Sequence, residues 1–484
     1  YYKTVKVGKS PEGLVTIIRS NCAILPSFLK MTISDQSKNY KVAISSRGVL
    51  AMALPISLAI LVPQINFITN NIFLGHLDRN AEALSTAGIT GVYYLLFAVV
   101  GQGLNNGLQA LIARRAGEGK IGEIGRLFSQ GMLISLALAL TGILLTDFIA
   151  APLLSLSLRS KPLLEEAMQF LRIRIWGLPF LYIYQMRNAL LVGTNQSKFL
   201  VYGTLAETVV NIFLDYGLIF GHFGLPALGF NGAAYASISA EAAGMLVVFL
   251  VIHAKGVSRE LQLYQKWEID LKNIKLILVQ SSPLIFQYTI AIASWIFFYV
   301  LVEHHGRQAL AISNTMRNIF GLFGVFTWAF ASTANAMVSN IIGQGKEDRV
   351  VELIYKIMKL SVGFATLVAI LLNLFPRAFL SVYGQDAAFM ETAIPVIRIV
   401  SSALVMMSIA TIWLNAVTGT GNTRINLLIE LLTMVFYCCY VYFILEYWNL
   451  SILYGWMSEW VYWASTFIFS FLYIRSGRWK GKKI

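Results

Sequence analysis

Gly117-Glu118-Gly119-Lys120 returns as Gly343-Gln344-Gly345-Lys346, 226 residues further along the chain. The same offset carries Gly193-Thr194 to Gly419-Thr420, and Leu84, Ser155, Glu165 and Arg172 to Leu310, Ser381, Glu391 and Arg398. The chain is therefore an internal duplication. Both copies consist of long apolar segments: 57% of residues are hydrophobic and only 13% are charged, against about 25% charged in an ordinary soluble domain. The solvent such a chain suits is lipid.

A helix that crosses a bilayer needs about 20 mostly apolar residues. Twelve stretches qualify, numbered here as segments 1 to 12: 48–74, 84–110, 124–146, 167–193, 199–220, 230–253, 276–302, 309–337, 351–375, 390–417, 425–446 and 452–475. Six fall in each copy, and an even number brings the second copy into the membrane in the same direction as the first. The expected fold is an all-α integral membrane protein with two parallel six-helix lobes, related by a pseudo-two-fold axis along the membrane normal, the layout of a secondary transporter. The expected division is a tail (1–47), an N-terminal lobe (48–253), a linker (254–275) that is either amphipathic around Trp267 or solvated, a C-terminal lobe (276–475) and a basic tail (476–484). Residues 1–30 precede Met31 and read as extra upstream sequence.

The net charge of +14 is placed as a membrane protein places it, in alternate loops, and no nucleic-acid partner is expected. Arg114, Arg115, Lys120 and Arg126 follow segment 2; Lys255, Arg259, Lys266, Lys272 and Lys275 follow segment 6; Arg475, Arg478, Lys480, Lys482 and Lys483 close the chain. The opposite loops hold only Arg79, Arg159, Lys161, Arg307 and Arg377. The positive-inside rule then puts both termini in the cytoplasm. Three cysteines form no disulfide framework and read as core residues; His304-His305 lacks a metal-ligand spacing and reads as an interfacial loop, and no metal or cofactor is expected. No phosphate-binding loop is present, so the energy for transport must come from an ion gradient.

Ionisable residues within the apolar segments mark where function resides. In segment 5, Thr204, Glu207, Thr208, Asn211 and Asp215 recur at three- and four-residue steps and form one polar stripe. Asn70 of segment 1 and Ser237 of segment 6 fall at the depth of Asp215, so three helices offer oxygen-bearing groups at one level; a carboxylate held there can gain and lose a proton. The plain alternative is that Asp215 ties helices together. Gln102, Asn105, Asn106 and Gln109 of segment 2, with Asn314, Asn318, Ser332, Asn335 and Ser339 of segment 8, either line the passage between lobes or link helices through amide bonds. Glu241, Glu430 and Glu459 either attract a cationic substrate or pair with a cation such as Arg187 or Arg317. Tryptophans such as Trp328, Trp413 and Trp456 either stack on a flat cation or belong to interfacial belts.

Phe73-Leu-Gly-His-Leu77, Ala113-Arg-Arg-Ala-Gly-Glu-Gly119, Asn211-Ile-Phe-Leu-Asp215, Gly232-Ala-Ala-Tyr-Ala-Ser237, Gly343-Gln-Gly345 and Gly419-Thr-Gly-Asn-Thr423, in this order, resemble the bacterial multidrug and toxic compound extrusion (MATE) family over about 48–475. The resemblance implies a V-shaped pair of lobes and alternating access, with a small organic compound exported in exchange for H⁺ or Na⁺ by a monomer in a bacterial inner membrane. It also implies an ion site in the N-terminal lobe, built from an acid on segment 1, an Asn-x-x-x-Asp pair on segment 5 and a Thr on segment 6. Here those positions hold Asn70, Asn211 with Asp215, and Ser237, so the segment 1 acid is absent and coupling rests on Asp215, with Glu207 two turns away. The acid that some relatives carry on segment 7 falls near Ala291, and the offset takes Asn211 and Asp215 to Tyr437 and Val441; Glu430 or Glu459 would have to substitute. A lipid-linked oligosaccharide flippase shares the broader fold, but the segment interiors carry more Glu than Lys. A membrane-embedded transferase would need clustered His, Asp or Arg at one membrane face, and none is seen.

Overall fold

The computed structural model describes residues 40–74, 80–155, 160–264, 268–381, 387–482 and 484. The reading of residues 1–30 as extra sequence, and the roles given to Arg79, Arg159, Lys266 and Trp267, lie outside the described residues.

Twelve helical spans follow the twelve segments. The N-terminal lobe contains α1 (Ser46–Leu74), α2 (Asn80–Glu118), α3 (Ile121–Ser155), α4 (Lys161–Arg174 continued by Leu178–Gly193), α5 (Leu200–Phe220) and α6 (Phe230–Ala254). The C-terminal lobe contains α7 (Leu271–His304), α8 (Arg307–Gly343), α9 (Val350–Leu374), α10 (Ala387–Gly419), α11 (Thr423–Val441, extended as a π-helix over Tyr442–Tyr447) and α12 (Ile452–Trp456 continued by Ser458–Arg475). Ten of the described helices are individually long and apolar enough to cross a bilayer; α4 and α12 reach the required length only as broken pairs. In α4 the break is a 3₁₀ step, Ile175–Gly177, just before Pro179. Proline has no N–H to donate four residues back and crowds the carbonyl there, which loosens the helix at this point. Leu133, Leu136, Leu140 and Leu144 of α3 stand exposed at three- and four-residue spacing, the apolar stripe of a lipid-facing helix.

The two lobes repeat one packing scheme. In the first, α1 packs on α5, α5 on α6, α2 on α3 and α4, and α4 on α6; in the second, α7 packs on α11, α11 on α12, α8 on α9 and α10, and α10 on α12. Between lobes, α2 packs on α8, and the contact of α2 with α7 mirrors that of α8 with α1. α7 begins at Leu271, inside the stretch read as linker, because the Asp270 side chain accepts from the Lys272 and Asn273 amides at 3.0 and 3.2 Å and caps the helix. What precedes it is docked rather than solvated: Val257, Leu261 and Leu263 are buried, and the Gln130 side chain of α3 donates to the Glu268 carbonyl at 2.8 Å. The cysteines do not all enter a core. Cys438 is half-buried near Ser294, while its neighbour Cys439 is exposed, because adjacent residues on a helix point about 100° apart.

At the centre of the molecule α2 and α8 cross, and the crossing is reciprocal. A β-carbon on Gly117 would collide with the Asn340 carbonyl, and one on Gly343 would collide with the Arg114 carbonyl. The duplication offset converts each contact into the other, as it does one turn or two further on: Gln109 donates from Nε2 to the Ser332 carbonyl at 2.9 Å, and Asn335 donates from Nδ2 to the Asn106 carbonyl at 3.1 Å. The pseudo-two-fold axis therefore runs between these helices. Replacing Gly117 or Gly343 by valine forces side-chain carbons against a carbonyl, and overpacking of this kind costs about 1–3 kcal/mol. We predict that each substitution lowers the thermal midpoint of the purified protein, and by similar amounts because the sites are equivalent; a neutral result at either one would contradict the reciprocal crossing.

Candidate functional site

Asp215 lies within α5, fully enclosed (0% exposed), with Asn211 one turn below it at 2%. α5 is sandwiched between α1 and α6, and its apolar remainder faces outward at Leu205, Val209, Ile212 and Phe213. With its amide oriented as the surrounding acceptors require, Asn70 of α1 places its nitrogen, which has two N–H groups, within reach of three acceptors: Asp215 Oδ2, Asn211 Oδ1 at 3.1 Å and the Asn66 carbonyl at 3.0 Å. The other Asp215 oxygen, Oδ1, has no partner, and neither does Asn66 Oδ1. Among the described residues no arginine or lysine stands against Asp215. Ser237 is half-buried on α6 and makes no hydrogen bond to Asp215 among the described residues, contrary to the expectation from depth alone. Sequence reading missed Asn66; its signal was the four-residue step to Asn70, which puts both amides on one face of α1.

The lower half of the α5 stripe belongs to a different cluster. Glu241 of α6 is held bidentately by Arg174 of α4, at 2.5 and 3.0 Å, and Tyr94 of α2 donates to it at 3.4 Å. The guanidinium also lies 3.8 Å over the Tyr94 ring. Glu207 is within electrostatic reach of both Glu241 and Arg174. Glu241 is thus paired with neither Arg187 nor Arg317: Arg187 donates to the Met245 carbonyl at 2.5 Å, and Arg317 stands over the Tyr299 ring. Arg174 was legible as a charge inside segment 4, but its partner comes from the other end of the lobe. Thr204 bonds Tyr184 at 3.0 Å and Thr208 bonds the Thr204 carbonyl at 3.0 Å, so both are occupied locally.

Of the polar residues of α2 and α8, Asn106, Gln109, Ser332, Asn335 and Ser339 bond across the seam between lobes. Asn106 donates to Tyr288 Oη of α7 at 2.5 Å, Ser332 donates to Gln109 Oε1 at 3.2 Å, and Ser339 donates to the Ala110 carbonyl at 2.6 Å. Asn105 turns back to Gln185 at 2.9 Å, Gln102 is half-buried, and Asn335 is enclosed. Among the described residues these interlobe bonds fall along 106–114 of α2 and 332–344 of α8, toward the end of the molecule that carries the basic loops. There Arg114 also donates to the Gly419 and Thr420 carbonyls at 3.3 Å, and Asn340 and Gln344 hold the backbone of Tyr40 and Val42. Toward the other end α8 exposes Asn314, Arg317 and Asn318. Such a face is costly against hydrocarbon, so water or another polar surface must meet it. Glu430 accepts from Tyr462 at 2.7 Å and from Gln287 at 3.2 Å, and Glu459 accepts from Trp463 at 2.9 Å, all within the C-terminal lobe. Trp413 and Trp456 are enclosed in that lobe's core, donating to Met358 Sδ and Ser313 Oγ; they form neither a belt nor a cleft wall.

A family model, MatE, matches residues 55–217 and 283–443, one stretch per lobe and in register with the duplication. The chain belongs to the MatE family. This is the family the sequence resembled, and the all-helical, two-lobed architecture is the family's own. Among relatives, it is 24% identical over 451 residues to a probable multidrug resistance protein NorM of Thermotoga maritima, covering 90% of this chain and 94% of that one. It is 30% identical over 235 residues to a protein of the same description from Halalkalibacterium halodurans, covering 48% of this chain and 51% of that one. Among solved structures, a multidrug resistance MATE family transporter of the MOP superfamily in its outward-facing conformation superposes with a TM-score of 0.83 at 16% identity, over 92% of this chain and 98% of that one.

The Arg174–Glu241 pair and the Asp215 site call for opposite behaviour in this MatE fold. Removing one member of a buried pair strands the other, at about 3–5 kcal/mol, whereas removing both restores much of the loss. We predict that Arg174→Gln and Glu241→Gln each lower the thermal midpoint markedly and that the double substitution recovers part of it. Additive losses in a double-mutant cycle would show that the two side chains do not act as a pair.

Proposed function

We propose that this chain is a multidrug efflux antiporter of a bacterial inner membrane, with both termini cytoplasmic, exchanging an organic, cationic or amphipathic compound for a proton or a sodium ion by alternating access. The observation that carries the reading is Asp215: an enclosed carboxylate contacted by the Asn70 amide, with no cationic partner and one unpartnered oxygen among the described residues. A charge in such a place is costly unless neutralised, and a single cation suffices for a single carboxylate.

The seam supplies the second half. With the basic loops taken as cytoplasmic, the hydrogen-bonded seam lies on that side, and on this reading the lobes part toward the outside, an outward-open arrangement. Occupation of Asp215 by a cation changes what Asn70 meets, from an anionic acceptor to a neutral or metal-bound group, and so alters how α1 sits on α5. Because α1 also packs on α8, that change reaches the seam. An ion moves the balance between states only by its difference in affinity for them, and Asp215 supplies such a difference if its surroundings repack when the lobes rock. On this reading the export compound would bind between the lobes beside the exposed Asn314 and Asn318.

The test uses the purified protein in liposomes with an imposed pH or sodium gradient and ethidium as the transported dye. Gradient-driven transport is expected to fall to background in Asp215→Asn, which keeps the shape and removes the charge, and the gradient that drives the wild type identifies the ion. Undiminished transport by Asp215→Asn would remove this mechanism.

A further inference from the structure

The chain enters each lobe through a short stretch that is not helical, and each stretch is fastened to the other lobe. Ahead of α1, residues 40–44 lie against the end of α8. Asn340 donates to the Tyr40 carbonyl at 3.0 Å and accepts from the Val42 amide at 3.1 Å. Gln344 donates to the Val42 carbonyl at 3.0 Å, and Lys356 of α9 donates to the Ile44 carbonyl at 3.2 Å. Ahead of α7, Gln130 of α3 donates to the Glu268 carbonyl at 2.8 Å and accepts from the Asp270 amide at 3.2 Å.

These are one arrangement made twice. The duplication offset carries Val42 and Ile44 to Glu268 and Asp270, and it carries Gln130 to Lys356. In both copies the same position of α3 or α9 therefore holds the backbone of the opposite lobe's lead-in. The helices agree, since α1 touches α9 as α7 touches α3. The holding side chain is an amide in one copy and an ammonium in the other, so the tie is set by the path of the lead-in and not by one residue type.

The ties engage groups that need a partner. A buried backbone amide or carbonyl outside a helix must find its hydrogen bond elsewhere. Tyr40 and Val42 are 5% and 7% exposed, and Asn340 and Gln130 are 1% and 3% exposed, so the partners here come from the other lobe. If the lobes separate at the basic-loop end, α1 leaves with α5 and the N-terminal lobe, and water has to take the place of Asn340, Gln344 and Lys356. The Tyr40 ring and Val42 lose their cover in the same step. Each lead-in thus favours the state in which that end is closed.

We propose that the two lead-ins, 40–44 and 268–270, are a matched pair of latches that hold the lobes together at the basic-loop end and are released when that end opens. The proposal rests on the alternating-access reading above, and its test needs neither gradient nor substrate. Purified full-length protein, with its native cysteines changed to serine, carries one reporter thiol at Ser339→Cys. Ser339 is fully enclosed and faces the Ala110 carbonyl of α2 across the seam. A charged, water-soluble maleimide reaches this thiol only while the basic-loop end is open, so the labelling rate reads the population of that state. Ala403→Cys, enclosed within the C-terminal lobe on α10, reports general loosening instead.

Asn340→Ala opens the first latch at Tyr40 and Val42; Gln130→Met keeps the length of the side chain and removes both bonds of the second. Each is expected to raise the labelling rate at Ser339→Cys about fivefold, and the double variant more than either. The rate at Ala403→Cys is expected to stay at its starting value. Asn340 adjoins the reporter, but Gln130 belongs to another helix, so faster labelling in Gln130→Met is not a local exposure. Should Asn340→Ala fail to fold, Gln130→Met alone decides the matter. An unchanged rate in Gln130→Met, or an equal rise at Ala403→Cys, overturns the proposal. Faster labelling in a protein that moves no dye would count against the antiport reading alone, and dye transport with unchanged labelling against the latches alone.

Discussion

The structure turns on the crossing of α2 and α8, where two helices approach so closely that only Gly117 and Gly343 fit. Everything else about the seam follows from this proximity. Side-chain amides of one helix reach the backbone carbonyls of the other, and the duplication makes the bonds reciprocal. A seam of this kind is suited to parting. A hydrogen bond contributes only about 0.5–1.5 kcal/mol net, because water takes the place of the lost partner, so amides that separate into a wet cleft lose little. A seam of interlocked leucines would expose apolar surface on opening and would be correspondingly harder to break.

Within the N-terminal lobe the two buried charge arrangements differ in kind: one is a closed ion pair, and the other, on the proposed reading, is the switch. Arg174 and Glu241 neutralise each other, join α4 to α6, and have the guanidinium covered by Tyr94. The pair forms exactly at the 3₁₀ break of α4, where the helix is least able to hold its own geometry and a tie from another helix does most to fix it. Asp215, two turns above Glu207 on the same helix, has amides and no cation beside it among the described residues, so a change in its charge would break no ion pair there. With an amide, Asn70, beside Asp215 rather than a second acid, the site has one carboxylate, and Asn70 serves it as a donor.

What the sequence revealed and what it withheld follow from the range of the interactions. The duplication, the twelve spans and the polar stripe of α5 are encoded by repetition and by 3.6-residue periodicity, so they could be read from the chain alone. That Glu207 and Asp215 serve different clusters could not, because the same stripe passes two neighbours, and the separator is Arg174, brought in from another helix. Nor do Asn106 and Gln109 announce whether they meet water or a carbonyl: an amide on an apolar helix looks the same in both settings, and only the crossing of α8 decides it. The enclosure of Trp413 and Trp456, against a belt reading, depends likewise on how α10 and α12 meet.

The two lobes share a scaffold while differing in what they bury. The offset that preserves Gly117 and Gly343 converts Asn211 and Asp215 into Tyr437 and Val441, both buried without charge, and places the carboxylate of the second groove at Glu430 instead. Each half of that pattern has a physical use. If the lobes rock, as the proposed reading requires, a symmetric crossing gives them an axis on which neither side is strained more than the other, so two states can lie close in energy. On the cation-coupled reading, asymmetric interiors mean that a cation entering one lobe is not mirrored in the other, and its effect on the balance is not cancelled. Since a bound ion shifts an equilibrium only through its unequal affinity for the two states, a transporter built from a perfect repeat would have to break its symmetry through the substrate alone. This chain has broken it in the side chains, and kept it in the backbone where the helices touch.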